Sequence, residues 1–145
     1  MIRAILVAVD GSEPALRAAD LAAELAVRCD ATLHLVQVVA PLEVTKELQE
    51  FANSERLDIA SSQDVVARSL LGPAESIANA AGVRKVMRAV LTGDPAERLL
   101  DYTRDRAIDL VVLGRRGLGR IQGLLMGSVS SKVSDLAECP VLTVK

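Results

Sequence analysis

The stretch LVVLGRRGLGRIQGLLMGSVSS, residues 110–131, decides how the rest of the chain is read. It opens on four apolar residues, Leu110 to Leu113, that suit a buried strand. It then releases into five glycines and three arginines and resumes a helical pattern at Ser128. Glycine lets backbone N–H groups turn inward and approach an anion closely. A helix opening at Gly127-Ser128 adds exposed amides and the positive end of its dipole. Strand, cradle-like loop and helix in that order predict an open α/β sheet with a ligand site beyond the strand's carboxyl end.

Working outward, the same alternation repeats along the chain. Ile2 to Val9 is rich in Ile, Leu and Val without polar alternation after Arg3, which predicts a strand covered on both faces. Asp10-Gly11-Ser12 closes it. Ser12 is placed to cap a helix with Pro14 in its first turn, running to about Cys29 with Leu16, Ala19, Ala23, Ala26 and Val27 on one face. Thr32 to Val39 predicts a second strand. A long stretch of helical composition follows Pro41, and Gly72-Pro73 predicts a break or kink in it near Leu71 to Ala74. The polarity of Glu43 to Ser62 fits either a surface helix or a flap.

Val86 to Leu91 predicts a third strand. Asp94-Pro95-Ala96-Glu97 then predicts a helix start, with Asp94 as cap, Pro95 in the first helical position and Glu97 reaching back, and the helix runs to about Arg106. Leu110 to Leu113 is the fourth strand. Val129, Val133, Leu136 and Ala137 mark one face of a last helix that opens at Ser128 and is ended by Pro140, before a fifth strand, Val141 to Val144. Strands alternating with helices imply parallel pairing through right-handed crossovers, a Rossmann-like doubly wound sheet with helices on both faces.

Composition narrows the function. A chain of 145 residues, 50% hydrophobic, suits a single domain over residues 1–145 with a real core. The longest apolar runs are far shorter than a bilayer needs, and Met1-Ile2-Arg3 leads straight into one without a signal-peptide pattern. The expected setting is the cytoplasm, away from membranes. A formal charge of −2 with interspersed signs supplies no field favouring nucleic acid, and Phe51 and Tyr102 are too few for base-stacking platforms. Cys29 and Cys139 lack CxxC spacing and have only His34 as an imidazole companion, which excludes a tetrahedral zinc site. Both read as free, partly buried thiols. His34 reads as a structural residue within a strand.

The loop is not a standard phosphate motif. A Walker A loop needs glycine-lysine followed by serine or threonine, whereas Gly123 precedes Leu124 and Gly127 precedes Ser128. Gly114, Gly117 and Gly119 give the dinucleotide fingerprint only in reverse order, and after the fourth strand rather than the first. What remains is Gly114, two residues, Gly117, nine residues, Gly127-Ser128. With that spacing, the Val9-Asp10-Gly11-Ser12 close of the first strand, Gly93-Asp94-Pro95-Ala96, and Cys139-Pro140-Val141-Leu142, the chain resembles the ATP-binding branch of the universal stress protein family over nearly its whole length.

The resemblance implies a five-stranded parallel sheet ordered 3-2-1-4-5, like that of the adenine nucleotide alpha hydrolases, with ATP in the cleft outside strands one and four. Gly114, Gly117, Gly127 and Ser128 would hold phosphates and ribose, Val129 and Ser130 would add contacts at the helix start, and Val38 would meet the adenine edge through its backbone. Ala8 and Val9 close the first strand beside Asp10, Gly11 and Ser12, and Asp10 would face the nucleoside or a bound magnesium. It also implies a homodimer through Val141 to Val144, an apolar run that would otherwise leave a bare sheet edge.

Residue by residue, plainer roles stand beside these. Asp10 suits a tight turn, the loop a simple connection, and Ser128 an ordinary helix cap. Arg115, Arg116 and Arg120 read either as solvated charge or as arms reaching phosphate. Function reads as a nucleotide-dependent regulatory or stress-response module, with slow ATP hydrolysis at most. The competing reading is an enzyme that uses ATP for adenylation or hydrolysis. Related adenylating enzymes carry a Ser-Gly-Gly-x-Asp-Ser loop where this chain has Asp10-Gly11-Ser12-Glu13-Pro14, and AMP, ADP and cyclic nucleotides stay open as ligands.

Overall fold

The computed structural model describes residues 1–39, 46, 50, 53–55, 59–116 and 126–145. Along them run β1 (Ala4–Ala8), α1 (Glu13–Cys29), β2 (Thr32–Val39), α2 (Ile59–Ala81), β3 (Val86–Thr92), α3 (Pro95–Asp105), β4 (Leu110–Gly114), α4 (Ser128–Leu136) and β5 (Val141–Val144). The strands form one parallel sheet in the order β3-β2-β1-β4-β5. The chain winds outward from β1 to β3, then returns to β4 on the other side of β1. The order therefore reverses between β1 and β4.

Burial explains the central strand. Successive side chains of a strand point to opposite faces. Ile5, Val7 and Val9 enter a core with α1 and α2, while Leu6 enters a second core with α3 and α4. Ile5, Leu6 and Val7 have no exposed surface at all, so a strand between two helix layers is apolar at every position, as its sequence reads.

The helices follow their caps more closely than their apolar residues. Ser12 caps α1 by accepting from the Ala15 N–H, and Asp30 ends it in the left-handed conformation at φ 51°. The face α1 turns inward is an alanine stripe, Ala15, Ala18, Ala19, Ala22, Ala23 and Ala26, which lets its backbone lie close to the sheet. This corrects the expected face: Leu16 is half-buried and Val27 is 46% exposed. The larger side chains Leu16, Leu21 and Leu25 flank the stripe and are half-buried.

A second correction concerns α2, which runs through Gly72-Pro73 as one helix, without a break. Pro73 cannot donate to the carbonyl of Ser69, but Leu71, Ala74 and Ala78 are buried around it. Their packing against the sheet outweighs one missing bond. Third, α4 opens at Ser128 as expected, but its cap is Gly127 rather than Ser128, and it runs to Leu136 with Ala137 as its C-cap, ahead of Pro140. Val133 is its buried anchor, whereas Leu136 is 57% exposed. Fourth, both cysteines are free, but Cys29 is exposed and only Cys139 is partly buried. Gly117, Arg120 and most of 43–58 lie outside the described residues. Among the described residues no helix is long and apolar enough to cross a membrane.

Candidate functional site

A cleft of about 230 Å³ opens where the strand order reverses, at the carboxyl ends of β1 and β4. Its floor begins at Ala8, Val9 and Asp10 of β1 and the turn after it. Gly11 adopts φ 80°, a conformation that favours glycine and swings the chain toward α1. The Asp10 carboxylate accepts from the Ser12 N–H at 2.9 Å and from its hydroxyl at 2.5 Å, while that hydroxyl accepts from Ala15 N–H at 3.3 Å. Asp10 therefore builds the turn and also lines the cleft. Gly11 is absent from the lining and contributes through its backbone conformation.

Val36 and Val38 of β2, Leu113 of β4, and Pro95 and Leu99 of α3 make the remaining floor and one wall apolar. Val38 was expected there on its backbone. Val36, Leu113, Pro95, Leu99 and Ala15 escaped the sequence reading. The period of two that places Val38 also places Val36, so that signal was available. Nothing local marks Pro95 and Leu99, which reach the cleft because α3 packs over the end of the sheet.

Gly114 carries a demand that its sequence does not announce. A Cβ there would lie 2.9 Å from both Ala15 N and Pro14 C, since the start of α1 crosses directly over the end of β4. The glycine is required by packing whether or not a ligand approaches. Beyond it, the Arg115 carbonyl accepts from Gly127 N–H at 2.7 Å and from the Ser130 hydroxyl at 2.7 Å. Arg115 N–H is itself bound to Val144 O at 2.6 Å. This clasp joins the two ends of the 116–126 stretch and uses the Gly127 amide, and Arg115 is not among the lining residues. Arg116, Gly127, Ser128, Val129 and Ser130 do line the cleft.

Three helix N-termini surround this space. Ser12 caps α1 and Asp94 caps α3, accepting from Glu97 N–H at 2.9 Å. The Glu97 carboxylate does not reach back as expected; it turns toward Lys132 of α4, whose ammonium lies 3.6 Å from it and 3.8 Å from Asp94. The cap of α4 is Gly127, and among the described residues no side chain caps this helix. The first amides of a helix have no partner within it, so α4 is where the fold presents donors and a positive dipole end to a ligand. An anion fits there, beside Arg116, and an apolar ring fits against Val36, Val38 and Leu99.

A magnesium ion suits the same end. Among the described residues no group of three His, Cys, Asp or Glu gathers to hold a metal. Magnesium bound with nucleotides typically takes one or two carboxylates, phosphate oxygens and waters, and Asp10 supplies one carboxylate at the cleft.

An open parallel sheet with a crevice at its switch point, apolar at one end and lined by helix amides at the other, defines the class of doubly wound α/β proteins. Comparison narrows that class. The universal stress protein family model matches residues 1–145. Universal stress protein YxiE of Bacillus subtilis is 31% identical over 148 residues, with both chains fully covered. A universal stress protein of Thermus aquaticus, encoded in the QAH/OAS sulfhydrylase 3'region, is 35% identical over 147 residues, again with full coverage of both. A universal stress protein crystallised in complex with cAMP superposes with a TM-score of 0.73 at 26% identity, over 99% of this chain and 97% of that one. The chain belongs to the universal stress protein family.

Proposed function

We propose that this protein binds adenine nucleotide, ATP with magnesium above all, and acts as a nucleotide-dependent regulatory module in a stress response. One observation carries the reading: α4 is the helix at the cleft that starts on a glycine cap, with no side chain capping it among the described residues, and it faces the apolar floor across the β1/β4 switch point. Phosphates sit at the Ser128 and Val129 amides beside Arg116, Asp10 faces the nucleoside or the ion, and the adenine lies against Val36, Val38 and Leu99. Ala8, Val9 and Ser130 complete the surroundings, and Gly11 and Gly114 shape the backbone, with Gly117 as a further ligand glycine on its sequence spacing. The structural relative in complex with cAMP supports adenine nucleotides as the ligand class.

The regulation needs no chemistry. A ligand that binds only the ordered form stabilises it, by about 2.7 kcal/mol at a hundredfold excess over Kd, and so couples nucleotide level to the population that a partner meets. Within the same reading, β5 pairs with β5 of a second copy. That strand is a sheet edge, and Leu142 on it is 37% exposed.

The test is calorimetry of magnesium-ATP with nucleotide-free protein, together with mass spectrometry of nucleotide released on denaturing fresh protein. Micromolar or tighter binding is expected, and Gly127→Val, which crowds the first amides of α4, should weaken it at least tenfold. No heat from the wild-type protein would overturn the reading. Turnover approaching the enzyme median of about 10 per second would make the protein an ATP-consuming enzyme instead.

A further inference from the structure

The cleft wall is anchored by a polar pair lying just beneath it. His34 and Tyr102, the chain's one histidine and one tyrosine, are 7% and 8% exposed. Their polar atoms Nδ1 and OH are 3.0 Å apart, and the rings meet edge to face at 5.7 Å. Both residues continue the stripes that build the cleft. His34 precedes Val36 and Val38 on one face of β2 by the strand period of two, and Tyr102 follows Pro95 and Leu99 on one face of α3 at helical spacing. The pair therefore ties α3 to β2 about one turn below the wall that Pro95 and Leu99 present to the ligand.

The surroundings of His34 favour its neutral form. From α3 it meets Tyr102 and, just past the helix end, Arg106, whose guanidinium lies 5.6 Å from the tyrosine ring centre. Its register neighbours are Leu6 on β1 and Met87 on β3, both uncharged. Protonation keeps the contact to Tyr102, since the Nδ1–H of an imidazolium donates to the hydroxyl oxygen. The cost is a cation buried beside a second cation. Burial first, and Arg106 second, hold the His34 pKa below its ordinary 6.5.

We propose that the His34–Tyr102 pair is a positioning latch for the nucleotide cleft: acid protonates His34, loosens α3 from the sheet, and weakens binding. The inference rests on the nucleotide reading above and assigns that site a regulation by pH. Moving α3 outward lets the imidazole hydrate and keep its proton, so acid populates the loosened form. The ligand needs Pro95 and Leu99 in place and populates the latched form. Coupling of this kind is reciprocal, so bound ligand must in turn lower the pH at which His34 titrates.

The probe is cAMP, a phosphodiester without the terminal phosphate proton that other nucleotides exchange near pH 6. Its affinity is measured by calorimetry at about pH 7.5 and pH 5.5, on either side of the ordinary imidazole range, while the single histidine's ring signals are followed by NMR with and without ligand. The expected result is binding about fivefold or more weaker at the lower pH, at the small end of site-to-site couplings. Saturating cAMP should also shift the His34 titration to lower pH, and His34→Gln, which cannot titrate, should bind equally at both. Tyr102→Phe keeps the ring but not the hydroxyl and should weaken binding at the higher pH.

Equal wild-type affinity at both pH values while His34 titrates would overturn the latch and leave the nucleotide reading intact. An unchanged pH dependence in His34→Gln would do the same. If cAMP fails to bind at either pH, magnesium-ATP calorimetry still decides the nucleotide reading, and the amide protection factors of Ala96 to Leu100 in ligand-free protein decide the latch. Lower protection on the acid side of the His34 titration upholds it, and unchanged protection sinks it.

Discussion

Gly114 shows how two causes converge on one residue. Its spacing to Gly117, Gly127 and Ser128 marks it as a ligand glycine, yet the contact that forbids a side chain is with the backbone of Pro14 and Ala15. Gly114→Ala should therefore cost about 1–3 kcal/mol, as overpacking does, and lower the urea midpoint without altering the slope. Gly127 is the contrast: its φ of −72° suits any residue, and a Cβ would find 3.4 Å or more of space. Gly127→Ser should leave the midpoint unchanged or raise it by capping α4. What the sequence made legible at this scale was local. The Asp10-Gly11-Ser12 turn and the Asp94 cap act over three residues and can be read from spacing alone. The Gly114 contact, and the arrival of Pro95 and Leu99 at the cleft, join segments far apart in the chain, where spacing has no say.

Among the elements, α2 carries the most instructive departure. Gly72-Pro73 is a strong local instruction to stop, and the helix disregards it because Leu71, Ala74 and Ala78 are buried on the inner face. Propensity is a weak prior beside tertiary burial. Pro73→Ala should restore the missing donor to Ser69 and raise the thermal midpoint, with a gain of about 1–2 kcal/mol, part of the roughly 3 kcal/mol by which proline trails alanine in a helix. A fall would mean that the proline ring packs too well to lose. The strands were read almost to the residue, since apolar runs of four to eight residues between turns leave little choice. Helix faces were read less well. In α1 the buried stripe is made of alanines, whose small contrast with their neighbours hides which side is in. In α4, Leu136 belongs to the apolar pattern yet stays largely in solvent.

For the molecule as a whole, alternation of strand and helix was enough to give a doubly wound parallel sheet, while the order 3-2-1-4-5 came from family resemblance and is the order observed. Strand order is set by crossovers, which leave no mark in any single segment. The edge at β5 carries the assembly prediction: light scattering at micromolar concentration should give twice 15.4 kDa, and Leu142→Lys should halve it. A 15.4 kDa particle from the unmutated chain would exclude pairing through that edge.

Stability toward acid should fall in two stages. The folded state disfavours protonated His34, so the unfolded chain binds the extra proton, and stability present above pH 6.5 is lost as pH drops below it. Asp109 accepts from Arg3 and Ala4 N–H groups, which hold its carboxyl below its ordinary 3.8, so its contribution persists until pH falls through that region. Urea midpoints against pH should show the first decline vanish in His34→Gln and the second in Asp109→Asn. Finally, the two hydrogen bonds received by the Arg115 carbonyl pin both banks of the glycine-rich segment independently of what runs between them. Splicing a foreign peptide into that span should leave the sheet intact, since each doubling of a flexible loop adds only about 0.6 kcal/mol of closure entropy. On the proposed nucleotide reading, a dye-bearing insert placed there would turn the protein into an optical sensor of its own occupancy.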